Sequence, residues 1–498
     1  MRENSGRFFV VSNRLPVSLV CENDRLSATA ASGGLVTALN PVLRDRGGFW
    51  AGWPGDGGNA GARSVRQVLE PLSEERGYRL LPVMLSPEDV KDFYLGFSNS
   101  VLWPLFHDLQ SRCSFSPSHW EGYLRANEKF ASVVEKHARS EDFIWVNDYQ
   151  LIPLGAMLQK RNPALSSSFF LHIPFPSVDI FMKMPKRKEI LLFLAAYSFV
   201  CFQTARDRKN FLDCLRVFFP EMKASGRGHI TKVTLREKTF LVGGLPISID
   251  FKAFSRRGSS REVIARAREI RREIQGEKFI LGIDRLDYSK GIPEKLRGFQ
   301  RALELYPELR ERMTLYQLVV PSRETVEEYK ALKEEIELLV SRINGKYGTT
   351  RWVPVNWRYG SVSKEELAAL YRAADMLLVT SLKDGMNLVS KEYCASKGRD
   401  TGVLILSEFA GAVLQLARGA VLVNPYDEDA VAASLLQGFS MEETEKRRRM
   451  NILRKSIARQ NVFWWVDNFL RAASGKKLED FPSREIPSLW PGVAEEEE

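Results

Sequence analysis

Histidine and cysteine are scarce in this chain of 498 residues, and their spacing excludes several kinds of site. The five histidines lie far apart and form neither an H-E-x-x-H motif nor another tight cluster, so no metal site can be argued. The five cysteines are an odd number, are scattered and include no C-x-x-C pair. That usage is typical of a reduced chain, and we therefore predict a cytoplasmic protein.

Long apolar segments are also missing. The start, "MRENSGRFFVVSNR", lacks the apolar core of a signal peptide, and the longest apolar run, residues 190–202, is too short to cross a bilayer. We interpret that run as a buried helix and expect no membrane partner. The final "AEEEE" is charged throughout, and residues 486–498 are predicted to be a disordered tail.

Common nucleotide-binding motifs are absent. No G-x-x-x-x-G-K-[S/T] occurs, which argues against a P-loop enzyme, and the Gly-rich "GWPGDGGNAGAR" does not match the dinucleotide fingerprint G-x-G-x-x-G. The net charge of +10 comes from 72 basic against 62 acidic residues, mostly in mixed runs such as "SSREVIARAREIRREI". Solvated helix faces explain those runs better than a nucleic-acid partner, and the excess charge also suits an anionic small substrate.

The pattern of apolar runs predicts the fold class. Short β-branched and aromatic runs such as "RFFVVSN", "DFIWVND", "KFILGID" and "ADMLLVT" alternate with helical patterns such as "KEELAALYRAA". Strands that are apolar nearly throughout are typical of parallel sheets covered on both faces. We therefore expect two doubly wound α/β domains that meet near residues 242–254, with ligands in the cleft between them, at the carboxyl ends of the strands.

The stretch "SLKDGMNLVSKEY", residues 381–393, follows one of these strands. A Gly at a strand-to-helix turn lets backbone N–H groups approach a ligand, and the following helix start favours negative charge, as on a phosphate. Glu392 lies one turn into the helix, where its carboxylate suits hydroxyl groups better than phosphate, so a diphosphate beside a ribose fits the stretch. An ordinary strand-to-helix turn with a solvated Glu is the alternative.

Two further stretches place polar residues at the same kind of edge. "GIDRLDYSKG" puts Arg285 and Lys290 in a loop after a strand, where cations can neutralise a diphosphate leaving group, although both could equally be surface charges. "FLHIPFP" puts His172 at the end of a strand in the first half, where an isolated histidine is more often structural.

Together these blocks resemble the trehalose-6-phosphate synthases, the retaining GT-B glycosyltransferases of family 20. The likeness runs from "VVSNRLPVSL" to "LVNPYDEDAVAASL", over most of the chain and in order. It implies two Rossmann-like domains facing each other across a cleft: an acceptor-binding domain in residues 1–245 and a nucleotide-sugar domain in 246–460, with a helix in 461–485 returning to the first. It also implies transfer of glucose from UDP-glucose to glucose 6-phosphate, no cofactor, and a separate phosphatase for the product. The sequence does not decide whether the protein forms a homo-oligomer.

The resemblance also implies the roles of individual residues. Arg285 and Lys290 correspond to the diphosphate-binding pair, Asp384 to the residue at the glucose hydroxyls, Glu392 to the ribose ligand and His172 to the histidine beside the transferred glucose. The remaining donor-side positions are Gly33, Gly34, Gly385, Met386, Asn387 and Leu388. The acceptor-side positions are Arg14, Trp53, Tyr94, Trp103, Asp148 and Arg323. Asp148, His172, Arg285 and Lys290 are the catalytic candidates.

One departure from the family pattern lies beside Asp148. The common pattern has His immediately before this aspartate and again two residues after it, where this chain has Asn147 and Gln150. Amides can hydrogen-bond a hydroxyl but carry no charge near neutral pH. Two alternatives therefore stay open: a glucosylglycerol-phosphate synthase that uses glycerol 3-phosphate, and a catalytically silent sugar-nucleotide binder.

Overall fold

In this computed structural model, residues 6–22, 25–30, 34–55, 61–226, 228–322, 327–398 and 401–475 are described. Three of the sequence predictions concern positions outside these ranges: Gly33 at the glycine loop, Arg323 at the acceptor side, and the tail in 486–498. The part of the predicted returning helix beyond residue 475 also lies outside them.

The first half of the chain forms a sheet of nine strands and a separate hairpin. The sheet order is β5-β4-β1-β6-β7-β8-β11-β10-β9, and β10 is the strand that runs antiparallel to its neighbours. The hairpin joins β2 and β3. The strands are β1 (Phe8–Arg14), β2 (Val17–Glu22), β3 (Arg25–Ala30), β4 (Phe49–Trp53), β5 (Arg79–Pro82), β6 (Phe143–Asn147), β7 (Ser167–Phe170), β8 (Phe199–Phe202), β9 (Lys223–Ser225), β10 (Ile230–Leu235) and β11 (Lys238–Gly244).

The second half forms a sheet of six parallel strands in the order β14-β13-β12-β15-β16-β17. Its strands are β12 (Lys278–Arg285), β13 (Met313–Val320), β14 (Val355–Tyr359), β15 (Met376–Val379), β16 (Val403–Ser407) and β17 (Val421–Val423). β15 and β16 are buried along their whole length because helices cover both faces of the sheet. The prediction of two doubly wound α/β sheets is confirmed.

Helices cover both sheets. Those of the first half are α1 (Gly34–Arg46), α2 (Ala62–Arg76), α3 (Pro87–Asp89), α4 (Trp103–Phe106), α5 (Pro117–Glu135), α6 (Leu154–Arg161), α7 (Val178–Phe181), α8 (Arg187–Leu194) and α9 (Ala205–Phe218). Residues Val90–Leu102 are also helical, with a kink at Gly96. Those of the second half are α10 (Phe251–Gly258), α11 (Arg261–Glu273), α12 (Ile292–Leu305), α13 (Glu327–Tyr347), α14 (Lys364–Ala373), α15 (Leu388–Ser396), α16 (Val413–Leu416), α17 (Glu428–Ser440), α18 (Glu443–Arg459) and α19 (Val462–Ala473). Single 3-10 turns lie at Gln110–Arg112, Tyr149–Leu151, Tyr288–Lys290 and Pro307–Leu309.

The strand order reverses at the same place in both sheets. β1 lies between β4 and β6, and β12 lies between β13 and β15. Where neighbouring connections leave in opposite directions, the carboxyl ends of the strands open a crevice that binds ligands in sheets of this kind. Each half of the chain therefore supplies one crevice.

The last described helix, α19, packs on the first sheet although it follows the second. Phe469 stacks on Trp145 of β6 with ring centroids 3.9 Å apart and planes 10° apart, and Trp465 lies 5.0 Å from Phe170 of β7. Burial of these large rings fixes the helix to the first half. The sheets themselves separate between Gly244, the end of β11, and Phe251, the start of α10.

The apolar run at residues 190–202 is not one buried helix, as its composition suggested. Its first part completes α8, and its last four residues form β8 in the middle of the first sheet. A strand buried on both faces is as apolar as a buried helix, so composition does not separate the two. Over the described ranges, no helix has the length and hydropathy needed to span a membrane.

Candidate active site

Three predicted acceptor-side residues meet at the carboxyl edge of the first sheet. β1 and β4 are parallel neighbours, and their register places Arg14 beside Trp53. The Arg14 guanidinium carbon lies 3.8 Å from the centroid of the Trp53 ring and 5.7 Å from that of Tyr94. A Cβ added at Gly55 would lie 2.7 Å from Arg14 Nη1, so glycine makes room for this stack. The result is a guanidinium held against two aromatic rings.

Asp148 follows β6 with a strained backbone. Its φ of 77° lies in the left-handed region, which is unfavourable for a residue with a side chain. Its Oδ1 accepts hydrogen bonds from the backbone N–H groups of Tyr149 (3.1 Å) and His172 (3.2 Å). These bonds hold the carboxylate between the ends of β6 and β7. Strain of this kind is found at functional sites, where the surrounding structure enforces it.

His172 is a neutral histidine in this structure. Its Nε2 lies 3.0 Å from Oδ1 of Asn147, and its ring lies 4.6 Å from Phe170. Burial lowers the pKa of His172 to about 3. At neutral pH the ring can therefore orient a ligand through hydrogen bonds, but it cannot serve as a cationic acid.

On the opposite edge, Lys290 and Asp384 form an ion pair with Nζ and Oδ2 2.6 Å apart. Ser381 Oγ and Asn387 Nδ2 each donate to the same oxygen at 3.3 Å. Burial opposes ionisation of Asp384, but the Lys290 ammonium outweighs it, and the pKa of Asp384 is lowered. The pair places one cation and one anion where β12 and β15 end.

The turn after β15 carries four of the predicted donor-side positions. Met386 N–H donates to Asp384 Oδ1 at 3.3 Å, and Asn387, with a φ of 78°, caps α15 by accepting from Ser390 N–H at 3.0 Å. Leu388 is the first residue of the helix. Gly385 packs on the other domain, because a Cβ there would lie 2.2 Å from the carbonyl oxygen of His172. The turn thus joins the two edges.

Glu392 lies one turn into α15, and Tyr371 of α14 donates its hydroxyl to Glu392 Oε2 at 2.8 Å. Burial raises the pKa of Glu392. The tyrosine holds the carboxylate in place while leaving it the capacity to accept from ligand hydroxyls, since a carboxylate has about four lone-pair sites. Gly34, the described member of the predicted glycine pair, begins α1.

Arg285 and Trp103 connect the two edges directly. The Arg285 guanidinium carbon lies 5.5 Å from the Trp103 ring centroid, and Arg285 Nη2 lies 3.9 Å from Asp287 Oδ2. A second bridge is the ion pair between Lys383 of the second half and Asp108 of the first. These two contacts join the donor-side edge of the second sheet to the acceptor-side edge of the first.

The sequence pattern that defines Glycosyltransferase family 20 matches residues 6–474 of the chain. The chain belongs to glycosyltransferase family 20. The family assignment made from the motifs is confirmed, and so are the GT-B fold and the class of enzyme, a glycosyltransferase.

Family 20 relatives resemble the chain over most of its length. A trehalose-6-phosphate synthase of Mycolicibacterium vanbaalenii is 40% identical over 482 residues, 96% of this chain and 97% of the relative. The UDP-forming alpha,alpha-trehalose-phosphate synthase A of Dictyostelium discoideum is 40% identical over 469 residues, which are 94% of this chain but 62% of that protein. A crystal structure of a UDP-forming synthase from Burkholderia xenovorans, in complex with glucose-6-phosphate, has a TM-score of 0.85 and 31% identity, covering 94% of this chain and 100% of that one.

Sequence reasoning missed His107, which lies against the cleft of this family 20 enzyme. Its Nδ1 lies 2.7 Å from the Trp103 carbonyl oxygen, and its ring lies 4.3 Å from that of Trp103. Burial lowers the pKa of His107 to about 4, against the charges of Asp287 and Asp384 across the cleft. The signal in the sequence was its position four residues after Trp103, one helical turn away.

A buried ion pair behind the donor edge was also missed. Lys295 Nζ lies 2.5 Å from Asp284 Oδ2, and Gln317 Nε2 donates to the same oxygen at 3.0 Å. The three residues come from α12, β12 and β13, so these contacts tie the helix that follows Lys290 to two neighbouring strands of the second sheet. Nothing in the local sequence marks a lysine and an aspartate eleven residues apart as partners.

Proposed function

We propose that this enzyme transfers glucose, with retention, from UDP-glucose to the anomeric hydroxyl of glucose 6-phosphate, giving α,α-trehalose 6-phosphate and UDP. The observation that carries the proposal is the contact between the two sets of candidate residues. The Arg285 guanidinium carbon lies 5.5 Å from the Trp103 ring centroid, and Gly385 packs on the backbone of His172. The names of the relatives support the same reaction: one is a trehalose-6-phosphate synthase and two are UDP-forming trehalose-phosphate synthases.

The acceptor is proposed to bind on the first domain. Arg14 suits a phosphomonoester because a guanidinium matches phosphate oxygens in bidentate geometry. Trp53 and Tyr94 orient the guanidinium and offer apolar faces to the sugar ring. Trp103 and Asp148 close the same edge, and Arg323 is proposed as the second phosphate ligand on the basis of the family resemblance.

The donor is proposed to bind on the second domain. Arg285 and Lys290 neutralise the diphosphate, and Asp384, kept ionised by Lys290, accepts from glucose hydroxyls. The backbone of residues 385–388 contacts the phosphates at the start of α15, and Glu392 accepts from the ribose. Gly33 and Gly34 are proposed to add backbone N–H groups from the first domain.

In the proposed mechanism, the bond between glucose and the diphosphate breaks as an oxocarbenium-like sugar forms. The acceptor oxygen bonds to the anomeric carbon on the face that the diphosphate leaves, and the departing phosphate oxygen takes the acceptor proton, so the configuration is retained. Arg285 and Lys290 stabilise the charge that grows on the diphosphate. His172 orients the sugar as a neutral ring, because its pKa of about 3 keeps it uncharged during turnover.

The test is release of UDP from UDP-glucose with glucose 6-phosphate and, separately, with glycerol 3-phosphate, while ADP-glucose and GDP-glucose are tried as donors. We expect release with glucose 6-phosphate and a non-reducing disaccharide phosphate as product. Release with glycerol 3-phosphate alone would instead indicate a glucosylglycerol-phosphate synthase. UDP-glucose binding without release for any acceptor would indicate a silent binder.

We propose the cytoplasm as the location, because all five cysteines are unpaired and a reducing compartment preserves thiols. Removal of the phosphate from the product is proposed to fall to a separate phosphatase.

A further inference from the structure

Asn147 ends β6, and His172 lies two residues after the end of the neighbouring strand β7. β6 and β7 are parallel, and their register places Asn147 beside Phe170, two residues before His172. The Asn147 side chain and the His172 ring meet with Oδ1 and Nε2 3.0 Å apart. Asn147 is fully buried, so water does not compete for this hydrogen bond.

The amide of Asn147 has one sensible orientation. Its Nδ2 donates to the carbonyl oxygens of Trp145 (3.2 Å) and Val11 (3.5 Å). Rotating the amide by half a turn would place Oδ1 against both carbonyls, and oxygens that can only accept would then face each other. Oδ1 therefore faces the histidine, and an amide oxygen can only accept.

The hydrogen on the His172 ring is fixed by this contact. Since Oδ1 accepts, Nε2 carries the proton, and a neutral imidazole with a proton on Nε2 has an acceptor at Nδ1. None of the described residues hydrogen-bonds Nδ1. The rings of Phe170 and Trp465, whose centroids lie 4.6 Å and 6.2 Å from that of His172, restrict its rotation.

We propose that Asn147 is a positioning residue that fixes His172 as the Nε2–H tautomer, so that Nδ1 accepts a hydrogen bond from one hydroxyl of the transferred sugar. The inference rests on the proposed function, which places His172 beside that sugar. It specifies the direction of the bond: the sugar donates and the enzyme accepts. A donor whose hydroxyl at this point cannot donate then binds less well.

The tautomer is measured by nitrogen NMR on the full-length enzyme labelled with ¹⁵N-histidine, with the His172→Gln variant used to assign the ring among the five histidines. We expect a protonated Nε2 and an unprotonated Nδ1. Asn147→Leu keeps the approximate volume of the side chain but removes the acceptor, and Asn147→Ala is the second variant. In both variants we expect a mixture of the Nδ1–H and Nε2–H tautomers of His172. Asn344→Ala is the matched control, because the Asn344 amide hydrogen-bonds the backbone of Val355 in the second domain and, among the described residues, hydrogen-bonds no histidine.

The proposed hydrogen bond from a sugar hydroxyl to His172 Nδ1 is tested with UDP-glucose analogues in which one hydroxyl at a time is replaced by fluorine. We expect one analogue to bind the wild-type enzyme about tenfold more weakly, the order expected when a hydrogen bond to a buried group is lost. That discrimination should shrink in Asn147→Leu.

A protonated Nδ1 in the wild type, an unchanged tautomer in both Asn147 variants, or equal binding of all analogues would overturn the inference. The spectrum does not depend on turnover, so absence of UDP release with a fixed Nε2–H tautomer would refute the proposed function alone.

Discussion

Replacing Gly385 with alanine tests whether the contact between the two domains is required for catalysis. A Cβ at this position would lie 2.2 Å from the His172 carbonyl oxygen and 3.2 Å from Ile173 Cα, both in the first domain. Ordinary contact begins at 3.4 Å, so the turn has to move away from the first domain. The required shift is about 1 Å, and a misplacement of that size can lower a rate about 100-fold.

The assay is the rate of UDP release together with thermal unfolding. We expect Gly385→Ala to lose about 100-fold in turnover, while unfolding stays cooperative, because the three nearest atoms to the added carbon belong to the other domain. Gly345→Ala is the matched control. Gly345 lies in α13 with open space around it, so alanine should leave turnover unchanged and raise the free energy of unfolding by about 1 kcal/mol.

Wild-type turnover in Gly385→Ala would refute the reasoning, because it would mean that the cleft works without the contact seen here. Loss of turnover together with loss of cooperative unfolding would point to a folding defect instead.

Three further perturbations test charged residues, two in the candidate site and one, Lys391, buried in α15. Lys290→Ala should lower kcat about 100-fold or more, with a smaller change in the KM for UDP-glucose. A cation at a leaving group acts mainly in the transition state. A change in the KM for UDP-glucose without a change in kcat would contradict that role. Arg14→Lys should raise the KM for glucose 6-phosphate about 10-fold, because a lysine loses the bidentate and stacked geometry, while the donor KM stays unchanged. Burial lowers the pKa of Lys391 from 10.5 to about 7. Between pH 7 and pH 10.5 Lys391 is protonated in the unfolded chain but not in the folded one. The free energy of unfolding, measured by denaturant titration, should therefore rise with pH in this range, by up to about 1.4 kcal/mol per pH unit. In Lys391→Met this contribution to the rise should be absent.

The fold was predictable because the information for it is local and repeated. "FFVV", "MLLV" and "VLILS" are apolar without alternation, which indicates strands buried on both faces, and helices lie between them. The same rule gave a wrong prediction of one buried helix for residues 190–202, because the end of α8 and the strand β8 follow one another within a single apolar run. Composition measures burial, and burial does not distinguish the two structures.

The candidate site was predictable as a set of loop residues at strand ends. The carboxyl ends of neighbouring parallel strands lie on one edge of a sheet. Asp148 and His172 follow β6 and β7, and Arg285 is the last residue of β12, not a loop residue as predicted. Their assignment to donor or acceptor depended on the family resemblance. The departure at Asn147 was visible in the sequence, but its contact with His172 was not.

The sequence by itself determined the two sheets, the loops that carry polar residues and the family. Tertiary structure decided which of those residues touch: Lys290 pairs with Asp384, 94 residues away, and Gly385 packs on His172 of the other domain. The physical reason is that local patterns fix which face of an element is buried, whereas distances of a few ångströms between loops depend on how the two sheets pack against each other. A hydrogen bond or an ion pair is gained or lost within such distances, and so the charge and tautomer of each group in the cleft are properties of the assembled fold.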